Sequence, residues 1–293
     1  FFAGQIDAAA TWQPYLAQAQ ETSDAHILFS TKSATNLILD GVVFRKDFID
    51  ANKDLVAKFI KGVLIAQEQY TTDVTSIKNV FPMFSTMSDE DIKATLPDAA
   101  QTNYAMNVEL LKGTAQTLFK DMSSIWSLLG EKALPGEALS AFDSAIIETL
   151  SGDFANSVAE KPKFTEADRK TAAATENDTA LLTQNLTINF ESGAATIKAD
   201  SYEALNKFAE IAGLLNNVII QIEGNTDSDG DDVVNKELSE KRAKSVATYL
   251  KFQGVDQTRF VIVGNGETNP VADNNTVKGK TKNRRTDIFF KTK

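Results

Sequence analysis

The segment Asn225–Val246, NTDSDGDDVVNKELSEKRAKSV, decides the fold of the C-terminal part of the chain. Apolar residues recur through it at the 3.6-residue period of an α-helix, which predicts a helix over about Val233–Phe252. The inward-facing stripe of this helix is Val234, Leu238, Arg242, Val246 and Leu250. An arginine therefore lies on the apolar side. Because a guanidinium keeps its charge, Arg242 needs an anionic partner there, either a carboxylate of the protein or one brought by a ligand.

The sequence on either side of this helix predicts a β-α-β-α-β-β unit. The runs LTINF, VIIQIE, RFVIVG and TDIFFK are typical of strands, and Tyr202–Leu215 has the pattern of an amphipathic helix. Alternating units of this length indicate a mixed sheet with helices packed on one face. We therefore assign residues 185–293 to an α+β domain.

Two further zones precede this domain. Residues 1–150 contain helix-like runs such as LVAKFIKGVLIAQE, which begins at Leu55, and two shorter runs, HILFS and NLILDGVVF, that are typical of strands. This zone is predicted as a helix-rich α/β domain. Residues 151–184 carry fewer apolar side chains and include EKPKFTEADRKTAAATENDT. We interpret them as a charged linker between two folding units.

Composition and charge exclude several classes of function. The net charge of −10 over 293 residues, with a pI near 4.8, argues against nucleic acid as a partner. The chain has no cysteine and His26 is its only histidine, which excludes thiol catalysis, disulfides and the common zinc sites. No paired carboxylates surround a nucleophile. We therefore expect a binding protein and no enzyme, with no catalytic residues and no cofactor.

Four aspartates surround Gly230 in the segment DSDGDD and at first suggest a calcium loop. The spacing does not fit a helix-loop-helix calcium site. Counting from Asp227, position six is Asp232 where the loop needs glycine, and position twelve is Leu238 where it needs glutamate. We predict no metal site, and a solvated turn whose acids precede a helix N-terminus.

Asp227 differs from the other acids because it follows directly on a predicted strand. The turn at Gly224 would bring it to the end of the sheet that Arg242 approaches, so that the two side chains flank one pocket. A glycine-rich loop, GNGETNPVADN, and the pair Arg284 and Arg285 come later in the chain. A buried ion pair without any ligand is the alternative interpretation of Asp227 and Arg242.

Together these separated features resemble the OmpA-like peptidoglycan-binding domain. The resemblance lies in the order NTDxxGxxxxNxxLSxxRAxxVxxYL, GVxxxRF, GxGExxPxxxN and NRR, over about Leu186–Phe290. LTINFESGAATI also resembles the first strand of the family and the loop after it. Two positions depart from the family: Asn225 stands where many members have histidine, and Thr286 where an aliphatic residue is commoner.

The resemblance implies noncovalent binding of the peptide stem of peptidoglycan. In this family an aspartate, matched by Asp227, takes the ammonium of the diaminopimelate residue, and an arginine, matched by Arg242, takes the carboxylate. A planar guanidinium suits that role because it grips a carboxylate through two parallel hydrogen bonds. The candidate ligand-binding residues are Asp227, Arg242, Asn235, Thr226, Ser239, Arg284 and Arg285.

The N-terminal zone has a separate resemblance. FFAGQIDAAATWQPYLAQA, at Phe1–Ala19, and the later LILDGVVFRKDFIDANKDLVAKFIKGVLIAQE resemble the second half of a periplasmic solute-binding protein of ABC transporters, of the nitrate, sulfonate and taurine type. This implies a partial solute-binding-protein-like α/β domain with a small anionic solute as its ligand. The candidate solute cleft is Asp7, Trp12 and Tyr15. Simple packing is the alternative for both aromatic residues, and Asp7 could equally cap a helix.

The whole sequence predicts a periplasmic, cell-wall-associated protein that anchors a solute-binding-like domain to peptidoglycan. No run approaches the roughly 18 consecutive apolar residues that cross a bilayer. The chain begins at Phe1 without a signal-peptide pattern, so a leader or an outer-membrane attachment would lie in an upstream segment. The alternative is a structural or scaffold component of a larger cell-envelope assembly, whose N-terminal domain contacts envelope proteins and binds no solute.

Overall fold

The structure, a computed structural model, describes residues 4–12, 15–20, 25–34, 38–70, 74–95, 102–128, 141–177, 180–186, 188–191 and 193–292. The chain forms two compact units. The first comprises Phe1–Ile27 and Asn36–Lys161, and the second comprises Leu28–Thr35 and Pro162–Lys293. None of the helices described is both long enough and apolar enough to cross a bilayer.

The described part of the first unit is helical. Its helices are α1 (Tyr15–Gln20), α2 (Lys46–Ala51), α3 (Lys53–Tyr70), α4 (Val74–Val80), α5 (Asp89–Thr95), α6 (Tyr104–Glu109), α7 (Ala115–Leu128) and α8 (Ala145–Glu148). A π-helical turn at Leu110–Thr114 separates α6 from α7. Small apolar clusters hold these helices together. Leu64 of α3 packs with Ile147 of α8, and Ile77 of α4 packs with Ile92 of α5.

The strands predicted for residues 1–150 are wrong where the structure describes them, because residues 25–34 and 38–45 form no strand. A strand needs a partner for its backbone N–H and C=O groups, and these segments pair with no described strand. Their apolar side chains are largely in solvent: Leu28 is 71%, Ile38 68% and Val43 90% exposed. The α/β class predicted for this zone is therefore not found among its described residues.

The second unit contains a four-stranded mixed sheet, as predicted. Its elements are α9 (Glu166–Ala174), β1 (Leu182–Leu186), α10 (Tyr202–Leu214), β2 (Ile219–Asn225), α11 (Asp232–Phe252), β3 (Phe260–Gly266), α12 (Val277–Asn283) and β4 (Thr286–Lys291). The strand order is β1-β4-β2-β3. β4 runs antiparallel to both β1 and β2, whereas β2 and β3 are parallel.

Two elements of this unit differ from the prediction, one in its position and one by being additional. β1 lies four residues before the predicted run LTINF, because Leu182–Leu186 are the residues that find partners on β4. The short helix α12 was not predicted; Thr276 caps it by accepting a hydrogen bond from Gly279 N at 3.0 Å.

One face of the sheet carries the main core of the unit. Alternate residues of β2 and β4, Ile220, Ile222, Ile288 and Phe290, are fully buried against α10 and α11. The helices contribute Leu205, Phe208, Val246 and Leu250, which are also almost completely buried. This packing fixes α11 over the carboxyl ends of β2 and β3.

The other face of the sheet is also covered, so the predicted arrangement with helices on one face only is wrong. The segment Pro162–Asn177, which we call the strap, includes α9 and lies within the predicted linker 151–184. Its Phe164 and Ala172 pack on Ile219 of β2. Lys291 Nζ, at the end of β4, donates to Ala172 O at 2.9 Å and Thr175 O at 2.6 Å. The lysine thus caps the C-terminal carbonyls of α9 and ties the strap to the sheet.

Candidate ligand-binding site

The site begins where β2 ends. All seven residues of β2 are buried, and the chain continues through Thr226 and Asp227 before α11 starts. Asp231 caps α11 by accepting from Val233 N at 2.9 Å and Val234 N at 3.3 Å. Gly224 lets the helix approach closely, since a Cβ there would lie 2.1 Å from Ser239 O in the backbone of α11. The strand end and the inward face of α11 therefore meet at short range.

Arg242 faces inward on α11, as predicted, and is only 9% exposed. Its Nε donates to Ala194 O at 3.2 Å, and the guanidinium carbon lies 5.0 Å from the centre of the Phe190 ring. These contacts hold the root of the guanidinium against the segment that follows β1. Val234, predicted on the same stripe, is instead 60% exposed, because it lies in the first turn of the helix beyond the edge of the core.

The outer nitrogens of Arg242 are free on the described part of the protein. No hydrogen bond to a described residue uses Nη1 or Nη2, and the only bond of this side chain is the one from Nε. Burial lowers the pKa of Arg242, the negative charge of Asp227 acts to raise it, and the positive charge of Arg284 lowers it further. The positive charge of Arg242 is therefore only partly balanced by the described protein, and an added anion would stabilise the charged form of the side chain.

Asp227 is 7% exposed and lies near enough to Arg242 to influence it electrostatically. Its ion pair, however, is with a different arginine: Arg284 Nη1 donates to Asp227 Oδ2 at 2.5 Å. Its other oxygen, Oδ1, accepts from Asp229 N at 3.2 Å. Among the described residues, Asp227 therefore forms its ion pair with Arg284, whose side chain is partly exposed, and does not form the buried pair with Arg242 that was the alternative interpretation of the sequence.

Arg284 and Arg285, neighbours in the chain, have different environments. The Arg284 side chain is 44% exposed and also donates to Thr281 Oγ1 at 2.9 Å. The Arg285 side chain is only 12% exposed and grips Asp287 with two nitrogens, Nε at 3.1 Å and Nη2 at 2.7 Å. Its remaining Nη1 donates to Asn269 O. Arg284 is therefore available at the site, whereas the nitrogens of Arg285 are engaged behind it.

Three smaller candidate residues lie on α11 or directly after β2. Asn235 Nδ2 donates to Glu267 Oε2 at 2.9 Å and to Asp229 O at 3.1 Å, which closes the loop before α11. Thr226 is 4% exposed, and its Oγ1 has no hydrogen-bond partner among the described residues. Ser239 is fully buried; its hydroxyl donates to Lys236 O and accepts from Gly266 N, both at 2.8 Å. Ser239 thus fastens α11 to the end of β3.

The residues predicted for a solute cleft lie in the first unit. Asp7 is exposed, Trp12 is 74% exposed and Tyr15, at the start of α1, is 55% exposed. No hydrogen bond, ion pair or ring contact joins these three described side chains. A shared solute cleft for these residues stays a prediction.

Sequence reasoning missed part of the setting of Arg242. Phe190 and Ala194 both contact the Arg242 side chain. Both lie in LTINFESGAATI, a segment for which the sequence showed only a resemblance to the family and no contact with Arg242. Glu267 lies in the quoted GNGETNPVADN loop, but its bond to Asn235 joins positions 32 residues apart and has no local pattern. No group of histidine, aspartate or glutamate residues in the described part of the chain is arranged to hold a metal ion.

Comparison with known proteins finds a match to a known family in the C-terminal region. Residues 189–284 match the family described as the OmpA family. The chain is 38% identical over 99 residues to Outer membrane protein A of Bordetella avium, covering 34% of this chain and 51% of that protein. It is 43% identical over 96 residues to the Peptidoglycan-binding protein ArfA of Mycobacterium tuberculosis, covering 33% of this chain and 29% of that protein. The chain thus spans about half or less of the length of these relatives.

A solved structure, the peptidoglycan-associated lipoprotein from Burkholderia pseudomallei, aligns with 27% identity and a TM-score of 0.34. That alignment covers 37% of this chain and 90% of the other. The family match contains Asp227, Asn235 and Arg242 and ends at Arg284. The resemblance to the OmpA family is therefore confirmed for the C-terminal region.

Proposed function

We propose that the C-terminal region, residues 185–293, binds peptidoglycan noncovalently through the diaminopimelate of the stem peptide. The observation that carries the proposal is Arg242, a buried arginine whose Nη1 and Nη2 have no hydrogen-bond partner among the described residues. Two adjacent guanidinium nitrogens form the fork that a carboxylate accepts in a bidentate pair. A ligand carboxylate at this position would balance a charge that the protein leaves only partly compensated.

The amino end of diaminopimelate is assigned to Asp227. Its carboxylate has one oxygen engaged by Arg284 and the other by a single backbone N–H, and each oxygen can accept a further hydrogen bond. An ammonium and a carboxylate on one carbon would then meet opposite charges on Asp227 and Arg242. Arg284 is the candidate for a further anion contact, because its side chain is partly exposed at the same place. The similarity to ArfA, a peptidoglycan-binding protein, supports this ligand class.

In this proposal the protein is periplasmic and cell-wall-associated, and it binds without turnover. The first unit is the part held near the wall, and its resemblance to solute-binding proteins makes a small anionic solute its candidate ligand. Single-site affinity would be on the order of micromolar to millimolar, because few charge-assisted bonds hold a small zwitterion. The many stems of the polymer would strengthen retention through multivalency.

The test is a pull-down with insoluble peptidoglycan sacculi that contain diaminopimelate. We expect Arg242→Ala and Asp227→Asn to weaken binding by about 10- to 100-fold each, the loss of one charge-assisted hydrogen-bonded contact. Lys241→Ala is the matched control, because Lys241 is exposed on the other side of α11 and, among the residues that the structure describes, forms an ion pair only with Glu237. A soluble stem peptide that contains diaminopimelate should compete with the sacculi, whereas the same peptide with lysine at that position, whose free end carries an ammonium and no carboxylate, should compete poorly.

Two results would contradict the proposal. Equal retention of the parent and Arg242→Ala, with matched folding, would mean that the arginine is structural. Equal competition by the lysine-containing and the diaminopimelate-containing peptide would mean that Arg242 does not bind the carboxylate of diaminopimelate.

A further inference from the structure

A cluster of buried polar residues lies on the sheet face opposite α11. Glu223 of β2 and Asp287 of β4 are directly paired across the strands, and both are 5% exposed. Like charges at such a position repel, so the pair depends on donors around it. Arg285 grips Asp287, and Asn265 Nδ2 donates to Glu223 Oε2 at 2.7 Å. Asn225 Nδ2 donates to Asp287 Oδ2 at 3.1 Å.

This cluster is joined to the candidate site through the chain itself. Asn225 is separated from Asp227 only by Thr226, and Arg285 directly follows Arg284. Asn225 N also donates to Arg285 O at 3.0 Å. Asn225 and Arg285 both bond to Asp287, and both are close in sequence to the Asp227–Arg284 ion pair. Arg285 is next to Arg284, and one residue separates Asn225 from Asp227.

The sheet is irregular at this point, which gives these side-chain bonds their importance. The register between β2 and β3 shifts between Gly224 and Asn225, and the regular β2–β4 ladder ends at the pair Gly224 and Thr286. Beyond the ladder, side-chain bonds reinforce the remaining backbone bonds, which run from Asn225 N to Arg285 O and from Thr226 N to Gly266 O. Asp287 links Asn225 of one strand to Arg285 on the approach to the other.

We propose that Asp287 is a positioning residue for the wall-binding site. It holds Asn225 and Arg285 so that Asp227, Arg284 and Arg242 keep the spacing that the ligand requires. Asp287 cannot touch the ligand, because it lies on the opposite face, is almost fully buried, and bonds within the protein through both of its oxygens. This inference rests on the proposed function and adds to it a residue outside the pocket.

The experiment measures binding of a soluble diaminopimelate-containing stem peptide to the full chain by titration. Asp287→Asn keeps the size of the side chain but weakens the grip on Arg285, and we expect binding about tenfold weaker, equivalent to about 1.4 kcal/mol. Asn225→Ala removes the bond from β2 to Asp287, together with the bonds of the same side chain to Asn265 and to Glu223 O, and leaves the ion pair of Asp287 with Arg285. It is the milder second variant, expected to lower affinity by a smaller factor even if Asp287→Asn folds poorly.

Glu223→Gln is the matched control, since it removes the other charge of the same buried pair. Two of the bonds to Glu223 come from Gln221 and Asn177, on the side of the strap, and the carbonyl oxygen of glutamine can still accept the third, from Asn265, so affinity should stay within about twofold of the parent. The backbone amide of Asp229, which donates to Asp227 Oδ1, is the spectroscopic signature. Its NMR signal should shift in Asp287→Asn and not in Glu223→Gln.

The outcomes separate this inference from the proposed function. Loss of binding in Arg242→Ala with unchanged affinity and an unshifted Asp229 signal in Asp287→Asn would overturn the positioning role alone. Equal loss in Asp287→Asn and Glu223→Gln would also overturn it, because the effect would then be one of general stability. Unchanged binding in Arg242→Ala would instead overturn the proposed function.

Discussion

Replacing Gly224 with alanine should push α11 away from the sheet. The new Cβ would lie 2.1 Å from Ser239 O and 2.9 Å from Ser239 C, both backbone atoms of the helix. Ordinary contact of a Cβ begins at 3.4 Å, so the helix would have to retreat by about 1.3 Å. Because the clash is with backbone, no side-chain rotation can relieve it.

The expected cost follows from two opposing terms. Overpacking of a close contact costs about 1–3 kcal/mol, and a backbone clash belongs at the upper end of that range. Alanine also lowers the conformational entropy of the unfolded chain, which stabilises the folded state by about 0.4–1 kcal/mol. We therefore expect the free energy of unfolding of the second unit to fall by about 2 kcal/mol. Binding should weaken as well, because α11 carries Arg242.

Amide hydrogen exchange of β2, β4 and α11 is the suitable assay. Tryptophan fluorescence would not report on this unit, since Trp12 and Trp126 both belong to the first unit. Gly213→Ala is the matched control: Gly213 lies in α10, and a Cβ there meets nothing within 4 Å. The same substitution should stabilise that helix by up to about 1 kcal/mol. Undiminished protection in Gly224→Ala would refute the close approach of α11.

Three further predictions concern the same unit. Lys291→Met removes the amine that bonds to Ala172 O and Thr175 O, so limited proteolysis should cut the strap faster than in the parent; an unchanged rate would mean that the apolar contacts suffice. Thr286→Val should raise the free energy of unfolding by about 1 kcal/mol, because Thr286 Oγ1 is buried without a hydrogen-bond partner among the described residues. Hydrogen exchange of β4 measures this change, and a lower free energy of unfolding would mean that the hydroxyl does have a partner. The pKa of Asp287 is raised, mainly by burial and also by the charge of Glu223, although Arg285 acts to lower it. Asp287 therefore binds a proton more readily in the folded state than in the unfolded state. The Asp287 contribution to stability should therefore fall as pH rises from its unfolded to its raised folded pKa, and denaturation of Asp287→Asn across that window should lack this slope.

Local periodicity was sufficient for most of the second unit. β4 occupies the predicted run TDIFFK, and α11 begins within one residue of the prediction, because both are buried elements whose apolar spacing matches their backbone period. The first strand was displaced because its position depends on pairing with β4, which lies about 100 residues later in the chain. The strap was predicted as a linker, since its charged and threonine-rich sequence does not show that Phe164 and Ala172 find a sheet to pack on.

The candidate site was only partly readable from the sequence. The inward position of Arg242 follows from helical spacing, and its burial agrees. The partner of Asp227 does not follow from spacing, because Arg284 comes 57 residues later, after an unpredicted helix. The strands predicted in HILFS and NLILDGVVF illustrate a different limit: β-branched residues favour extended backbone, but only a neighbouring strand makes it a sheet.

The anchoring of the strap on Lys291 determines how this domain would carry a mechanical load. β1, the first strand in the sequence of this unit, is at an edge of the sheet, where a pull from its N-terminal side would peel hydrogen bonds away one after another. Tension arriving along the chain meets the strap before it meets β1. The strap contacts Ile219 and Gln221 on β2 through Phe164, Ala172 and Asn177, and Lys291 on β4. Those are the two central strands, so the force would be distributed across the middle of the sheet before it reached the edge.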